Sequence, residues 1–340
     1  VPRLRRSSPA QPGWRRLRSG RGFRYLDTDG RPLAAADRER CVALVIPPAW
    51  RDVWICPWPN GHLQAVGTDA AGRRQYLYHE AWRVRRDRAK YDRMLELAVA
   101  LPSARPVVAD HLQARGMPAR RALAVAFRIL DRGFLRVGGE QYAAEYGSFG
   151  LATLRVDHTT VRGDRLRLRF PGKAGVEHDV VLWDPQLAAA VRSMRRGRPG
   201  AAELLAWQDR VAGNGSRERP WRDITSADIN TYVRDVTGAD VTAKDFRTWH
   251  GTVLAATSMA VAEDRQRLTS KTARKRALGA VFKEVAEHLG NTPAVARASY
   301  VDPRLVDRFL AGSTISLPAA TASSDGLVDQ VEAAVIELLT

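Results

Sequence analysis

The spacing of hydrophobic and polar positions changes once, near His79. From Phe23 to about Tyr78 the apolar runs are short and separated by turn residues. FRYLDTDGRPL carries the turn Asp29-Gly30, and CVALVIPPAW stops at Pro47-Pro48. DVWICPW and LQAVGTDAAGRRQYLY follow, with glycine-containing turns. This pattern predicts a small β-rich module with one short helix near Ala34–Cys41. The stretch before it, to about Arg24, is basic and contains Pro, Gly and Ser, which predicts a mobile arm at its start.

After His79 the period becomes helical. AWRVRRDRAKYDRMLELAVAL reads as a helix bounded by Pro102. Further helices are expected at Val107–Arg115, Pro118–Asp131 and Gly138–Tyr146. A β insert follows, with LATLRV as its first strand and EHDVVL as its third. Its middle strand, RLRLRF, places Leu166, Leu168 and Phe170 on one face and Arg165, Arg167 and Arg169 on the other. Beyond Asp184 the chain reads as helical, with a loop around Gly213–Arg219. Thr225 with Asp228, and Thr242 with Asp245, have the spacing of helix-start boxes. The expected fold class is α+β, a β-rich N-terminal domain before a mainly helical domain with a three-stranded insert. The expected boundaries are 1–22 for the basic arm, 23–82 for the β-rich domain and 83–311 for the helical domain. A linker at 312–325 and an amphipathic C-terminal helix at 326–340 complete the chain.

Charge narrows the function. Among 340 residues, Lys and Arg number 54 against 37 Asp and Glu, a formal net charge of +17. Such a field attracts polyanions, nucleic acid first among them. A membrane partner is not expected, because no apolar run approaches the roughly 18–20 residues of a span and no basic amphipathic anchor is evident. The N-terminus lacks the apolar core of a signal peptide. Two cysteines, Cys41 and Cys56, exclude a disulfide scaffold and do not form a zinc pattern. No phosphate loop ending in Gly-Lys-Ser/Thr, no H-E-x-x-H, no G-x-S-x-G and no magnesium-holding carboxylate cluster is visible. The chemistry left open to an enzyme is metal-free and acts on a polyanion.

Phosphodiester cleavage of that kind needs fixed cations for the nonbridging oxygens, an in-line nucleophile and an acid for the leaving alkoxide. Arginine forks suit the first role. Only six residues are lysine, the side chain able to give up a proton. Arg136 precedes Gly138-Gly139 at a helix start, and Lys173 stands between glycines at a hairpin tip. On one helix, Lys244, Arg247 and Gly251 share a face. Thr292 caps a short helix with Pro293 at its first position, and Tyr300 follows at that helix's end. Taken singly, each residue has an ordinary reading as a solvated arginine, a turn lysine or a packing aromatic.

As an ordered set, Arg136, Lys173, KDFRTW at 244–249, LGNTP at 289–293 and Tyr300 resemble the type IB DNA topoisomerases, in the poxvirus-like and bacterial branch. The resemblance covers roughly Arg21–Phe309. It implies that Tyr300 attacks the phosphate to form a 3′-phosphotyrosyl link. It implies also that Arg136 and Arg247 hold nonbridging oxygens, Lys173 protonates the departing 5′ oxygen and Asn291 donates a hydrogen bond. Many members of the wider superfamily have histidine at the position of Asn291. Strand swivelling and resealing then relax positive and negative supercoils with no ATP, metal or other cofactor. GRRQYLYHEAW resembles the segment that lies in the DNA major groove, which makes Gln75, Tyr76 and Tyr78 candidate contacts, with Tyr142 and Lys244 on the backbone. Alternation puts Gln75 on the face opposite the two tyrosines, so some of these three are candidates for the core instead. The family expectation is a monomeric clamp on duplex DNA, hinged near Glu80–Lys90, cytoplasmic and nucleoid-associated. Two other readings stay open at this point. A tyrosine recombinase would share the chemistry, although it usually carries His-x-x-Arg where this chain has Lys244-x-x-Arg247. An architectural DNA-binding protein would keep the set unused.

Overall fold

The computed structural model describes every residue except 1–2, 140–142, 144, 146, 209–219, 267 and 319–323. The chain divides into two compact units, Val1–Lys90 and Tyr91–Thr340.

Unit 1 is built on a five-stranded antiparallel sheet. Its strands are β1 (Trp14–Ser19), β2 (Gly22–Leu26), β3 (Arg51–Ile55), β4 (Leu63–Thr68) and β5 (Arg74–Tyr78), in spatial order β2-β1-β3-β4-β5. A helix, α1 (Ala35–Ala43), adds Cys41 to the small core of Trp14, Ile46, Val53, Ile55 and Ala65. Two expectations are corrected here. The basic arm contributes β1, an interior strand, because Arg16 points inward and is still satisfied. Its guanidinium donates to the carbonyls of Ile46, Pro47 and Trp50 at 2.8–2.9 Å and lies over the Phe23 ring. The apolar run CVALVIPP is not a strand, since its first residues complete α1 and Val45 turns the chain with φ +49°.

The helix α2 (Glu80–Leu112) carries the boundary between the units and runs through Pro102 and Pro106. The sequence predicts one helix ending at Pro102 and another beginning at Val107. Each proline does remove a backbone donor. However, Leu97, Ala98, Leu101, Ala104 and Val108 form one continuous buried face across both, and that packing outweighs the lost bonds.

Unit 2 is mainly helical. After α2 come α3 (Ala119–Gly133), α4 (Pro185–Arg195), α5 (Ser226–Thr237), α6 (Ala243–Gln266) and α7 (Lys271–Leu289). The short helices α8 (Pro293–Ser299) and α9 (Pro303–Leu310) follow, then α10 (Ser324–Leu339). A three-stranded antiparallel sheet lies between α3 and α4, made of β6 (Thr159–Arg162), β7 (Arg165–Pro171) and β8 (Glu177–Trp183). Leu166, Leu168 and Phe170 of β7 are buried, as alternation requires. LATLRV is not the first strand. Leu151, Ala152, Thr153 and Leu154 are all buried in succession, which an alternating strand cannot achieve, and the segment forms a 3-10 turn instead. Most of the helix expected at Gly138–Tyr146 falls outside the described residues. Strands β9 (Ala206–Trp207) and β10 (Arg222–Asp223) form a two-residue ladder. Among the described residues no helix is long and apolar enough to cross a membrane.

Candidate active site

The site forms where two helices end. Helix α3 stops at Gly133, and Phe134 follows in the left-handed region with φ +57°. Helix α7 stops at Leu289, and Gly290 follows with φ +58°. Both turns leave backbone carbonyls pointing out of the helix. Arg247, buried on α6, donates Nη1 to the Phe134 carbonyl and Nη2 to the Leu289 carbonyl at 2.7 Å. The negative ends of two helix dipoles thus hold this cation. Among the described residues no carboxylate forms an ion pair with it, so its positive charge stays available to an anion.

Arg136 and Asn291 follow those two helix ends closely in sequence. The Arg136 segment is pinned by Leu151 N–H to the Arg136 carbonyl at 2.9 Å and Ala152 N–H to the Val137 carbonyl at 2.7 Å. Arg136 Nη2 donates to Asn291 Oδ1 at 2.7 Å. That bond orients the amide and leaves Asn291 Nδ2 buried with no partner; Arg247 Nε is in the same condition. Buried donors left open cost free energy unless a ligand takes them. Both belong to residues that converge on the same place as Tyr300.

Tyr300 ends α8, which opens with Thr292 accepting from the Val295 N–H and with Pro293 in its first turn. The Arg247 guanidinium carbon lies 5.1 Å from the centre of the Tyr300 ring. Gly251, one turn after Arg247 on α6, makes this approach possible. A Cβ there would lie 2.6 Å from the Tyr300 carbonyl oxygen, an impossible contact. Burial pushes the Tyr300 phenol up, but Arg247, Arg136, a hydrogen bond to Arg247 and Lys244 together bring it below its ordinary value. Burial pushes Arg247 down to about 10, helped by the repulsion of Arg136 and opposed by Tyr300, so it stays cationic at neutral pH. Lys244 is exposed on α6.

Lys173 is exposed in the single turn Lys173–Gly175 that joins β7 to β8. In unit 1, Gln75, Tyr76 and Tyr78 lie on the edge strand β5. Tyr76 and Tyr78 stack at 6.3 Å on one face, and Tyr76 is 48% exposed. Gln75 Nε2 donates to Asp69 at 2.9 Å. Tyr142 lies outside the described residues. The sequence gives no sign of the parts played by the Phe134 and Leu289 carbonyls. Phe134 and Leu289 act through backbone carbonyls, which leave no mark on side-chain pattern, and a left-handed phenylalanine defies the expectation of glycine at a helix end. Among the described residues no three His, Cys, Asp or Glu side chains cluster as metal ligands would.

A family model described as eukaryotic DNA topoisomerase I, catalytic core, matches residues 79–307. A second, bacterial DNA topoisomerase IB, N-terminal domain, matches residues 22–69. The chain belongs to the type IB DNA topoisomerases. It is 28% identical to a DNA topoisomerase 1B of Acanthamoeba polyphaga mimivirus over 289 residues, 84% of each chain. It is 22% identical to the DNA topoisomerase 1B of Vaccinia virus (strain Copenhagen) over 243 residues, 71% of each. A DNA topoisomerase 1 of Daucus carota is 28% identical over 120 residues, 35% of this chain and 15% of that protein. Its substrate as a type IB topoisomerase is DNA. The family match decides against the recombinase reading.

Proposed function

We propose that the protein relaxes positive and negative DNA supercoils by transient single-strand cleavage, as a monomer in the nucleoid, without ATP or metal. Tyr300 Oη, as the phenolate that the neighbouring cations favour, attacks a backbone phosphorus and the P–O5′ bond breaks. The Lys173 ammonium gives its proton to the departing 5′ oxygen, and the 3′ phosphate stays on Tyr300. Arg136, Arg247 and Asn291 Nδ2 take the nonbridging oxygens, where negative charge grows. The free strand swivels, the 5′ hydroxyl attacks the phosphotyrosine, and Lys173 recovers its proton. Gln75, Tyr76, Tyr78, Lys244 and Tyr142 are proposed as DNA contacts.

The observation that carries this reading is the pair of unpartnered buried donors, Asn291 Nδ2 and Arg247 Nε, beside a tyrosine whose phenol is shifted down. An uncompensated cation with open donors suits a phosphate oxygen better than any neutral ligand. The deciding experiment is plasmid relaxation in EDTA without ATP, comparing wild type with Tyr300→Phe. Relaxation by the wild type alone supports the mechanism. Relaxation by both moves the nucleophile elsewhere, and relaxation by neither, with DNA still bound, refutes the mechanism.

A further inference from the structure

The hairpin that carries Lys173 meets the Asn291 loop chiefly through the imidazole of His178. His178 is the second residue of β8 and pairs across the ladder with Phe170. Its ring stacks on the Phe170 ring at 5.1 Å and 22°. It also lies against two glycines. A Cβ on Gly172 would come within 2.5 Å of His178 Nε2, and a Cβ on Gly290 within 3.1 Å of His178 Cε1. Gly172 immediately precedes Lys173, and Gly290 immediately precedes Asn291. The hairpin tip itself is closed by Gly172 N–H to the Val176 carbonyl at 2.8 Å and Gly175 N–H to the Gly172 carbonyl at 3.1 Å.

We infer that His178 is a positioning residue that registers the Lys173 hairpin on the Asn291 loop, so that the acid and the phosphate-binding amide reach the same phosphate. This inference rests on the role of Lys173 proposed above. Val176 of the same hairpin also reaches Gly290, its Cγ1 3.7 Å from where a Cβ there would stand, but the His178 ring makes the closer approach and is the group that touches Gly172 and Gly290 together. Misplacement of a reacting group by about 1 Å costs on the order of 100-fold in rate. A ring also suits the place better than a charged chain. His178 is pushed below its ordinary value by burial first and then by Arg136 and Arg247, against the opposite pull of Glu177, so it sits there neutral.

The test uses single-turnover cleavage of two duplexes by the full chain. One duplex has the ordinary 5′-oxygen leaving group. The other has sulfur at that atom, which departs as thiolate and needs no proton. His178→Ala is expected to cut the oxygen substrate about 10–100-fold more slowly, less than the roughly 10²–10⁴-fold of losing general acid catalysis outright, and the sulfur substrate at nearly the wild-type rate. His178→Phe, which keeps a flat ring on Phe170, is expected to restore most of the oxygen rate. Equal slowing of both substrates, or unchanged rates on both, would overturn the inference. Lys173→Ala is measured alongside. If Lys173→Ala shows no preference for the sulfur substrate, the acid role itself fails and takes the inference with it. If it shows one and His178→Ala does not, only the His178 assignment fails.

Discussion

Arg136 Nη2 donates to Asn291 Oδ1 at 2.7 Å, which makes the amide of Asn291 a one-way donor toward the site. The consequence is a graded series. Asn291→Ala removes the donor and is expected to slow cleavage about 10²–10³-fold, the usual cost of losing one charge-stabilising donor. Asn291→His keeps a donor and is expected to retain activity. Asn291→Asp is expected to be worse than Ala, because a carboxylate would pair with Arg136 and repel the phosphate. Equal cleavage rates for wild type and Asn291→Ala in a single-turnover assay would remove the role.

Arg247 leads the groups that hold the Tyr300 phenol below its ordinary value. A depressed phenol pKa gives more phenolate at neutral pH, and cleavage should level off as pH rises through it. Arg247→Lys cannot bridge the Phe134 and Leu289 carbonyls with a planar fork. Its cleavage–pH profile should therefore rise at higher pH than that of the wild type, with the plateau also lowered. Superimposable profiles would show that Arg247 does not tune the nucleophile.

Gly251→Ala places a methyl group 2.6 Å from the Tyr300 carbonyl oxygen, so α6 and α8 must part. The expected loss of stability is about 1–3 kcal/mol, as for overpacked cores. Cleavage should slow while DNA affinity, measured by gel shift, holds. Full activity in Gly251→Ala would mean that Tyr300 tolerates the shift.

The C-terminal helix α10 supports the site from a distance. Glu332, buried, accepts from Trp249 Nε1 at 3.0 Å and from Arg105, which also grips Asp131 in a bidentate pair. Trp249 lies two residues after Arg247. Burial lowers the Arg105 pKa, and Asp131 and Glu332 outweigh that and raise it. Arg105 keeps Asp131 when Glu332 is lost, so the expected cost is that of leaving Trp249 Nε1 without its acceptor, about 1–3 kcal/mol. Glu332→Ala should lower the denaturation midpoint accordingly, and an unchanged midpoint would show that α10 is not structurally coupled to α6.

His250 is buried, and its Nε2 bonds to the Leu130 carbonyl at 3.1 Å. Burial lowers its pKa below the ordinary histidine value of 6.5. As pH falls, the unfolded chain therefore takes up this proton first, and the stability contributed above 6.5 is lost as pH drops through the folded value. His158 and His178 are shifted the same way, chiefly by burial. Melting temperature should decline from pH 7 to 5, and less steeply in His250→Gln, which keeps a donor for Leu130. Parallel declines would show that His250 is not among the groups responsible.

Local signals were legible in the sequence wherever the physics is local. The cap at Thr225 accepts from Asp228 N–H, and the Asp228 carboxylate takes the Thr225 N–H in return, as their spacing implied. The alternation of RLRLRF became the buried and exposed faces of β7. Motif order was enough to bring Arg136, Arg247, Asn291 and Tyr300 into one hypothesis, through the resemblance to the type IB topoisomerases that the ordered set carries.

What the tertiary structure decided depends on distant partners. An arginine reads as surface in any local window, yet Arg16 is inside β1 because carbonyls some thirty residues away receive it. Pro102 reads as a helix stop, yet α2 continues because one apolar face is buried on both sides of it. The cradle of Arg247 and the packing of His178 against Gly172 and Gly290 are of this kind too. They are made of backbone carbonyls and close approaches, which residue identity does not encode and only the folded chain brings together.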